Sequence, residues 1–241
     1  MIPKEIMKLY EKLAFSRGYE EAFRDFLDVC LYYLSVGMLA EDYRRVEKRY
    51  KPYEMELFVQ MFYRVSEYSE GFCDVLGDMF MECVSHGNNE QFFTPIHVAD
   101  LMACMGGNRL KPKQSVCDLC CGSGRMLLSA VKKCAEENDG GRLFCYGSDI
   151  DLICVKMTVV NLMMNSVPGE VAWMNTLTMQ HWRSYHIDLQ LIAGVWLPIL
   201  KITEAGDTSF IRKLENAMED NSELKRSIQS NARATQLTFD F

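Results

Sequence analysis

The stretch Gln91-Phe92-Phe93-Thr94-Pro95, followed by Ser115-Val116-Cys117-Asp118-Leu119-Cys120-Cys121-Gly122-Ser123-Gly124-Arg125-Met126-Leu127-Leu128, decides the fold. In its second part an apolar run ends in an acid, two glycines follow, and a helical pattern begins. That order predicts a strand over 116–119, a tight turn, and a helix continuing from Ser129 to Glu137. Gly122 and Gly124 open backbone angles closed to other residues and let a ligand approach the main chain. Ser123 sits between them, at the start of a helix whose free N–H groups favour an anionic group. Asp118, at the strand's end, can accept from an ammonium or hydroxyl. In the first part Thr94 is expected to cap a helix that begins at Pro95. Two adjacent phenylalanines on a loop need an apolar partner.

The chain downstream repeats the unit. Leu143 to Gly147 reads as a second strand running into Ser148-Asp149-Ile150-Asp151. An acid about 25 residues after a glycine turn suits a nucleotide-type ligand, because its carboxylate can accept from both ribose hydroxyls. Asp151 reads as the N-cap of a helix over 152–165. Val171 to Met174 is a third strand, followed by Asn175, and Ile187 to Ala193 a fourth.

Taken together, these motifs resemble the N6-adenine DNA methyltransferases, and in particular the modification subunits of type I restriction systems. Gln91 to Pro95 match that family's Q-F-[FY]-T-P segment, and Asp118, Gly122 and Gly124 its D-x-x-x-G-x-G loop. The resemblance is best from Asp74 to Thr178. It implies S-adenosylmethionine (SAM) as cofactor. Gln91, Phe92, Phe93, Thr94 and Pro95 would then close over it, and Asp118, Gly122, Ser123 and Gly124 would form its loop. Asp149 would take the ribose, Ile150 would pack on the adenine, and Asn175 would accept from the adenine amino group. At this last site Met174 stands where the family has glycine.

One family motif is missing. The fourth strand should end in [DN]-P-P-[YFW], whose amide or acid accepts from the target adenine's amino group while the aromatic stacks on the flipped base. Here the chain reads Ile192-Ala193-Gly194-Val195-Trp196-Leu197-Pro198, and it has no Pro-Pro pair anywhere. No catalytic residue is therefore assigned, and a half-sheet with a cofactor pocket but no complete base pocket is expected.

Composition bounds the rest. Hydrophobic content of 49% supports a real core, and ten cysteines with no secretion signal suit a reducing cytoplasm. No apolar run reaches the length of about 18 residues that a membrane span needs. Cys117, Cys120 and Cys121 lack a second ligand pair at zinc spacing, and are expected as small packing residues on a buried strand and its turn. A net charge of −7 is unhelpful to a protein that must neutralise phosphates alone. The one dense basic cluster, Arg44, Arg45, Lys48, Arg49 and Lys51, is interleaved with acids and reads as a solvated helix face rather than a phosphate contact.

Three regions are expected: helices over 1–85, an α/β domain over 86–200 of incomplete Rossmann-like methyltransferase type, and a polar helix with a tail over 201–241. The tail ends Gln236-Leu237-Thr238-Phe239-Asp240-Phe241. Gln236, Leu237, Phe239 and Phe241 resemble the peptides that bind the bacterial β sliding clamp, or else form an edge strand. The function expected is that of a SAM-binding protein of the restriction–modification type, impaired or inactive alone. The alternatives are an active methyltransferase completed by a partner subunit, with DNA and a specificity subunit as further partners, and a non-catalytic partner-binding module.

Overall fold

The computed structural model describes residues 2–85, 91–106, 111–192 and 194–205. The polar helix expected after Thr208, the clamp-like tail, and Ala193 of the fourth strand lie outside the described residues. Four helices open the chain: α1 Lys4–Ala14, α2 Tyr19–Leu34, α3 Ala40–Glu47 and α4 Pro52–Tyr68. Apolar residues at helical spacing explain their packing, since Ile6, Tyr10 and Leu13 of α1 and Phe23, Phe26, Leu27 and Leu31 of α2 are fully buried. Then come α5 Val75–Cys83 and α6 Ile96–Gly106.

The sheet follows: β1 Ser115–Asp118, α7 Arg125–Glu137, β2 Phe144–Asp149, α8 Leu152–Met164, β3 Gly169–Asn175, β4 Gln180–Ile192 and β5 Val195–Glu204. Its order is β1-β2-β3-β4-β5. β1, β2 and β3 are parallel, and both crossovers run in the same direction. Right-handed crossovers of that kind put their helices on one face. α8 packs there against β2 and β3, with α2 of the helical region on its other side. Lys156 of α8 pairs with buried Asp28 of α2, so the two regions share one core.

Several expectations are corrected. β1 has β2 as its only strand partner among the described residues. It is therefore not a buried strand: Cys117 and Cys120 are exposed, and only Cys121 is buried. The helix after Thr94 begins one residue later than expected, with the Pro95 carbonyl accepting from Val98 and Ala99. The fourth strand starts at Gln180 rather than Ile187 and is antiparallel to β3. A fifth strand, unforeseen in the sequence, then returns along it, with Ile192 opposite Val195 and Leu189 opposite Pro198. Gly194 makes this hairpin possible because its φ of +84° is open to glycine. Pro198 is tolerated because β5 is an edge strand.

Two of the five side chains of the basic cluster are paired with acids. Arg45 pairs with Asp28 and Asp42, and Arg49 with Glu21 and Asp25. No described helix is long and apolar enough to cross a membrane.

α8 is the shared wall of both regions, so its core should report on the whole fold. Leu162→Ala, at a fully buried position, should cost about 2–5 kcal/mol. Denaturant melts followed by circular dichroism and by tryptophan fluorescence should shift together, as one transition.

Candidate functional site

Parallel strands deliver their ends to one rim, and here Asp118, Asp149 and Asn175 close β1, β2 and β3 side by side. The turn between β1 and α7 is folded under tight constraint. Gly122 and Gly124 have φ of +55° and +83°, and a Cβ on Gly124 would stand 3.0 Å from the Thr158 methyl of α8. Thr158 Oγ1 donates to the Gly122 carbonyl at 2.9 Å, while the Gly122 N–H donates to Asp149 Oδ2 at 3.0 Å. The other Asp149 oxygen accepts from the Asp151 N–H at 2.9 Å. Burial raises the Asp149 carboxyl above its ordinary range, opposed by these two backbone hydrogen bonds.

The five residues Gln91 to Pro95 do different things. Gln91 donates to Asp151 Oδ2 at 3.1 Å and so ties the segment to the N-terminus of α8, where Asp151 also caps Ile153. Phe93 stacks on Phe80 of α5, with ring centroids 5.3 Å apart, and its ring would meet a Cβ on Gly122 at 2.9 Å. Phe93 thus has the apolar partner that the sequence demanded. Phe92 does not, being 81% exposed. The Thr94 carbonyl accepts from Arg125, and Pro95 stands just before α6, its carbonyl accepting from Val98 and Ala99.

Phe92, Phe93, Thr94, Asp118, Gly122 and Ser123 line one cavity of about 540 Å³, which also takes Met102 of α6 and Arg125 of α7. Asp149, Ile150 and Asn175 are not on its wall. They stand along the rim on the β2–β3 side. Ile150 is 60% exposed, and its carbonyl accepts from the Trp173 indole at 3.0 Å. A bulge in the β3–β4 pairing sets Trp182 against Trp173, with centroids 5.0 Å apart. The Asn175 side-chain oxygen accepts from the N–H groups of Leu177 and Thr178 in a turn of its own.

Sequence reasoning missed Asp74, Arg125, Thr158 and Trp173. Asp74 leaves a trace, as an acid directly before an amphipathic helix. Thr158 and Trp173 leave none, because each lies inside an apolar run and acts through a neighbour distant in sequence. Burial pushes the Cys121 thiol far above its ordinary range. No cluster of three or more candidate metal ligands occurs among the described residues.

The stretch Gly194 to Pro198 is remote from this rim. β4 runs from Gln180, opposite Asn175, to Ile192 at the other end of the sheet. At about 3.3 Å per residue that is a separation of roughly 40 Å. Trp196 instead lies near Arg142, and its carbonyl accepts from Ser166.

Comparison with known proteins bears on this geometry. The model of the N-6 DNA Methylase family matches residues 72–193, half of the chain. The type I restriction enzyme MpnII methylase subunit of Mycoplasma pneumoniae is 24% identical over 156 residues, covering 59% of this chain and 28% of that protein. The MjaVII methylase subunit of Methanocaldococcus jannaschii, also of a type I restriction enzyme, is 26% identical over 113 residues, covering 45% of this chain and 19% of that protein. This chain therefore spans less than a third of the length of either relative. A crystal structure described as a class I S-adenosylmethionine-dependent methyltransferase from Listeria monocytogenes gives a TM-score of 0.46. It is 14% identical, over 70% of this chain and 51% of that one.

The close approach at Gly124 is testable. Gly124→Ala combines a left-handed backbone, costing about 1–2 kcal/mol for a residue with a Cβ, with the clash on Thr158. Adding Thr158→Ser removes the methyl but not the backbone strain. Thermal melts should show a loss for the single variant that the double variant recovers only in part.

Proposed function

This chain belongs to the N-6 DNA methylase family, and from that premise we propose that it binds SAM along the β1–β3 rim and serves adenine-N6 methylation of DNA only together with a second polypeptide. The observation that carries the cofactor reading is that the Gln91–Pro95 segment and the glycine turn, apart in sequence, are joined through Phe93 and Gly122, with Asp149 hydrogen-bonded beneath them.

The residues fit the cofactor. A cavity of about 540 Å³ is in the range of small-molecule sites. A carboxylate offers about four acceptor positions, and Asp149 meets the backbone N–H groups of Gly122, Asp151 and Ile150, which leaves capacity for a ribose hydroxyl. Ile150, exposed and anchored by Trp173, offers an apolar face for the adenine. Asp118 and Thr94, on the cavity wall, take the polar end of the ligand. When bound, SAM supplies an electrophilic methyl group. This chain's part is to hold and orient it.

Among the described residues, the stretch aligned with the family's catalytic motif brings no acceptor to the rim for the target amino group. Gly194 and Trp196 are at the wrong end of the sheet, and loss of one transition-state hydrogen bond alone costs ~10²–10³ in rate. A completing polypeptide is supported by what surrounds β1. In doubly wound sheets the ligand sits where strand order reverses, with a strand on each side. β1 has one described neighbour, and α6, packed on α7 and sharing the cavity with β1, exposes Val98, Leu101, Met102 and Met105 while Ala99 and Ala103 are buried. A second chain adding a strand along β1 would cover both and bring a base pocket to the rim. A specificity subunit, as the names of the relatives suggest for type I enzymes, would supply recognition of DNA.

Titration calorimetry with S-adenosylhomocysteine should show binding that Asp149→Ala weakens about tenfold to a hundredfold, as for loss of charged hydrogen bonds. Because the Asp149 carboxyl is raised, wild-type affinity should begin to fall on acidification at a higher pH than an ordinary carboxylate would give. Tritium transfer from labelled SAM to adenine-containing DNA should be absent with the purified chain alone. Transfer under those conditions overturns the need for a second polypeptide, and absence of calorimetric heat for the wild type overturns cofactor binding.

A further inference from the structure

We propose that the buried Asp74–Arg125 pair is a positioning latch that sets the gap between the Thr94 segment and the glycine turn, and thereby the affinity of the cofactor site; this rests on the SAM reading above. Asp74 is 1% exposed at its side chain and accepts four hydrogen bonds. One oxygen takes the Gly77 N–H at 2.8 Å and Asn161 Nδ2 at 2.8 Å, and the other takes Ser123 Oγ at 2.5 Å and Arg125 Nε at 2.8 Å. A carboxylate's acceptor capacity is then full. Those four donors come from α5, α8, the glycine turn and α7. Asn161 also donates to the Ser123 carbonyl at 2.8 Å, which clamps the turn from its other side.

Arg125 extends the connection to the fifth element. Its guanidinium spans Asp74, Asp78 at 2.6 Å and the Thr94 carbonyl at 3.3 Å. A planar fork can hold three acceptors in fixed directions, and a lysine ammonium cannot reproduce that arrangement. Both Arg125 and Thr94 are on the wall of the 540 Å³ cavity, so the geometry of this pair is the geometry of the cavity mouth. Gly77 is part of the device, because a Cβ there would stand 2.0 Å from the Asp74 carboxylate.

Stability alone is a poor account of such a pair. Desolvating two charges offsets most of their attraction, and apolar replacements of similar volume are often neutral or stabilising. What a fully bonded charge pair does better than an apolar contact is fix direction and distance. Here the fixed distance is that between two segments of one cofactor site, which otherwise meet where the Phe93 ring lies against Gly122.

The test uses the full chain, with Arg125→Met, Arg125→Lys and Asp78→Asn. Hydrogen exchange at residues 91–94 is measured without ligand, and S-adenosylhomocysteine affinity by calorimetry, at a temperature where each variant keeps its far-UV circular dichroism. Arg125→Met should speed exchange at 91–94 and weaken binding about tenfold or more, the scale of a lost charged hydrogen bond. Arg125→Lys should fall between it and the wild type, and Asp78→Asn, at a half-exposed partner, should give a smaller acceleration confined to the same segment. A merely structural pair would lower the melting temperature and leave both readouts unchanged in the folded variants, which overturns the proposal. If Arg125→Met does not fold, the other two variants decide in the same way. If the wild type binds no S-adenosylhomocysteine, the SAM reading fails, and unchanged exchange at 91–94 in all the folded variants still refutes the latch.

Discussion

The glycine turn has to pass within van der Waals contact of α8, and the rest of the site follows from that approach. Thr158 presses on Gly124 with its methyl and bonds Gly122 with its hydroxyl, so the turn can neither gain a side chain nor move away without losing a hydrogen bond. Fixing the turn fixes the first residue of α7 and the direction of the Gly122 N–H toward Asp149. It also fixes the floor against which Phe93 lies. The constraint is steric first and electrostatic second, because close packing leaves no slack for a shift of even one methyl group.

α8 can act as this wall because it is buried on nearly every side. It is the helix whose apolar residues do not segregate to one face, and its core is filled from Ile153 to Met163. On one side it meets the parallel strands, and on the other α2. The acids of α2 that face inward, Asp25 and Asp28, are met by Arg49, Tyr50, Arg45 and Lys156. Two side chains of the chain's densest basic cluster, Arg45 and Arg49, thus pair with the inward acids of α2.

The sheet explains why the stretch Gly194 to Pro198 stands far from the β1–β3 rim. A parallel β1-β2-β3 set needs only two crossovers to bring three strand ends to one rim. The chain then reverses after β3, and an antiparallel strand necessarily ends at the opposite edge. The stretch that aligns with the missing catalytic motif becomes a hairpin turn, with Gly194 at its corner.

The sequence by itself determined the local chemistry. Strand, glycine turn and helix around Asp118 to Gly124, the capping role of Asp151, and the strands that end near Asp149 and Asn175 could all be read because each depends on neighbours in the chain. So could the need of Phe93 for an apolar partner. Only the tertiary structure decided the direction of β4, the existence of β5, the exposed position of β1 and the partners of the buried charges. Hydrophobic periodicity says that a segment is a strand but not which edge it joins, and the reversal after β3 turns on a short turn at Asn175 that parallel and antiparallel continuations share. Asp74 and Arg125 are 51 residues apart. Nothing in the spacing of two charges tells whether they meet in the core or face water, because that depends on how α5 and α7 pack, and packing is a property of the whole chain.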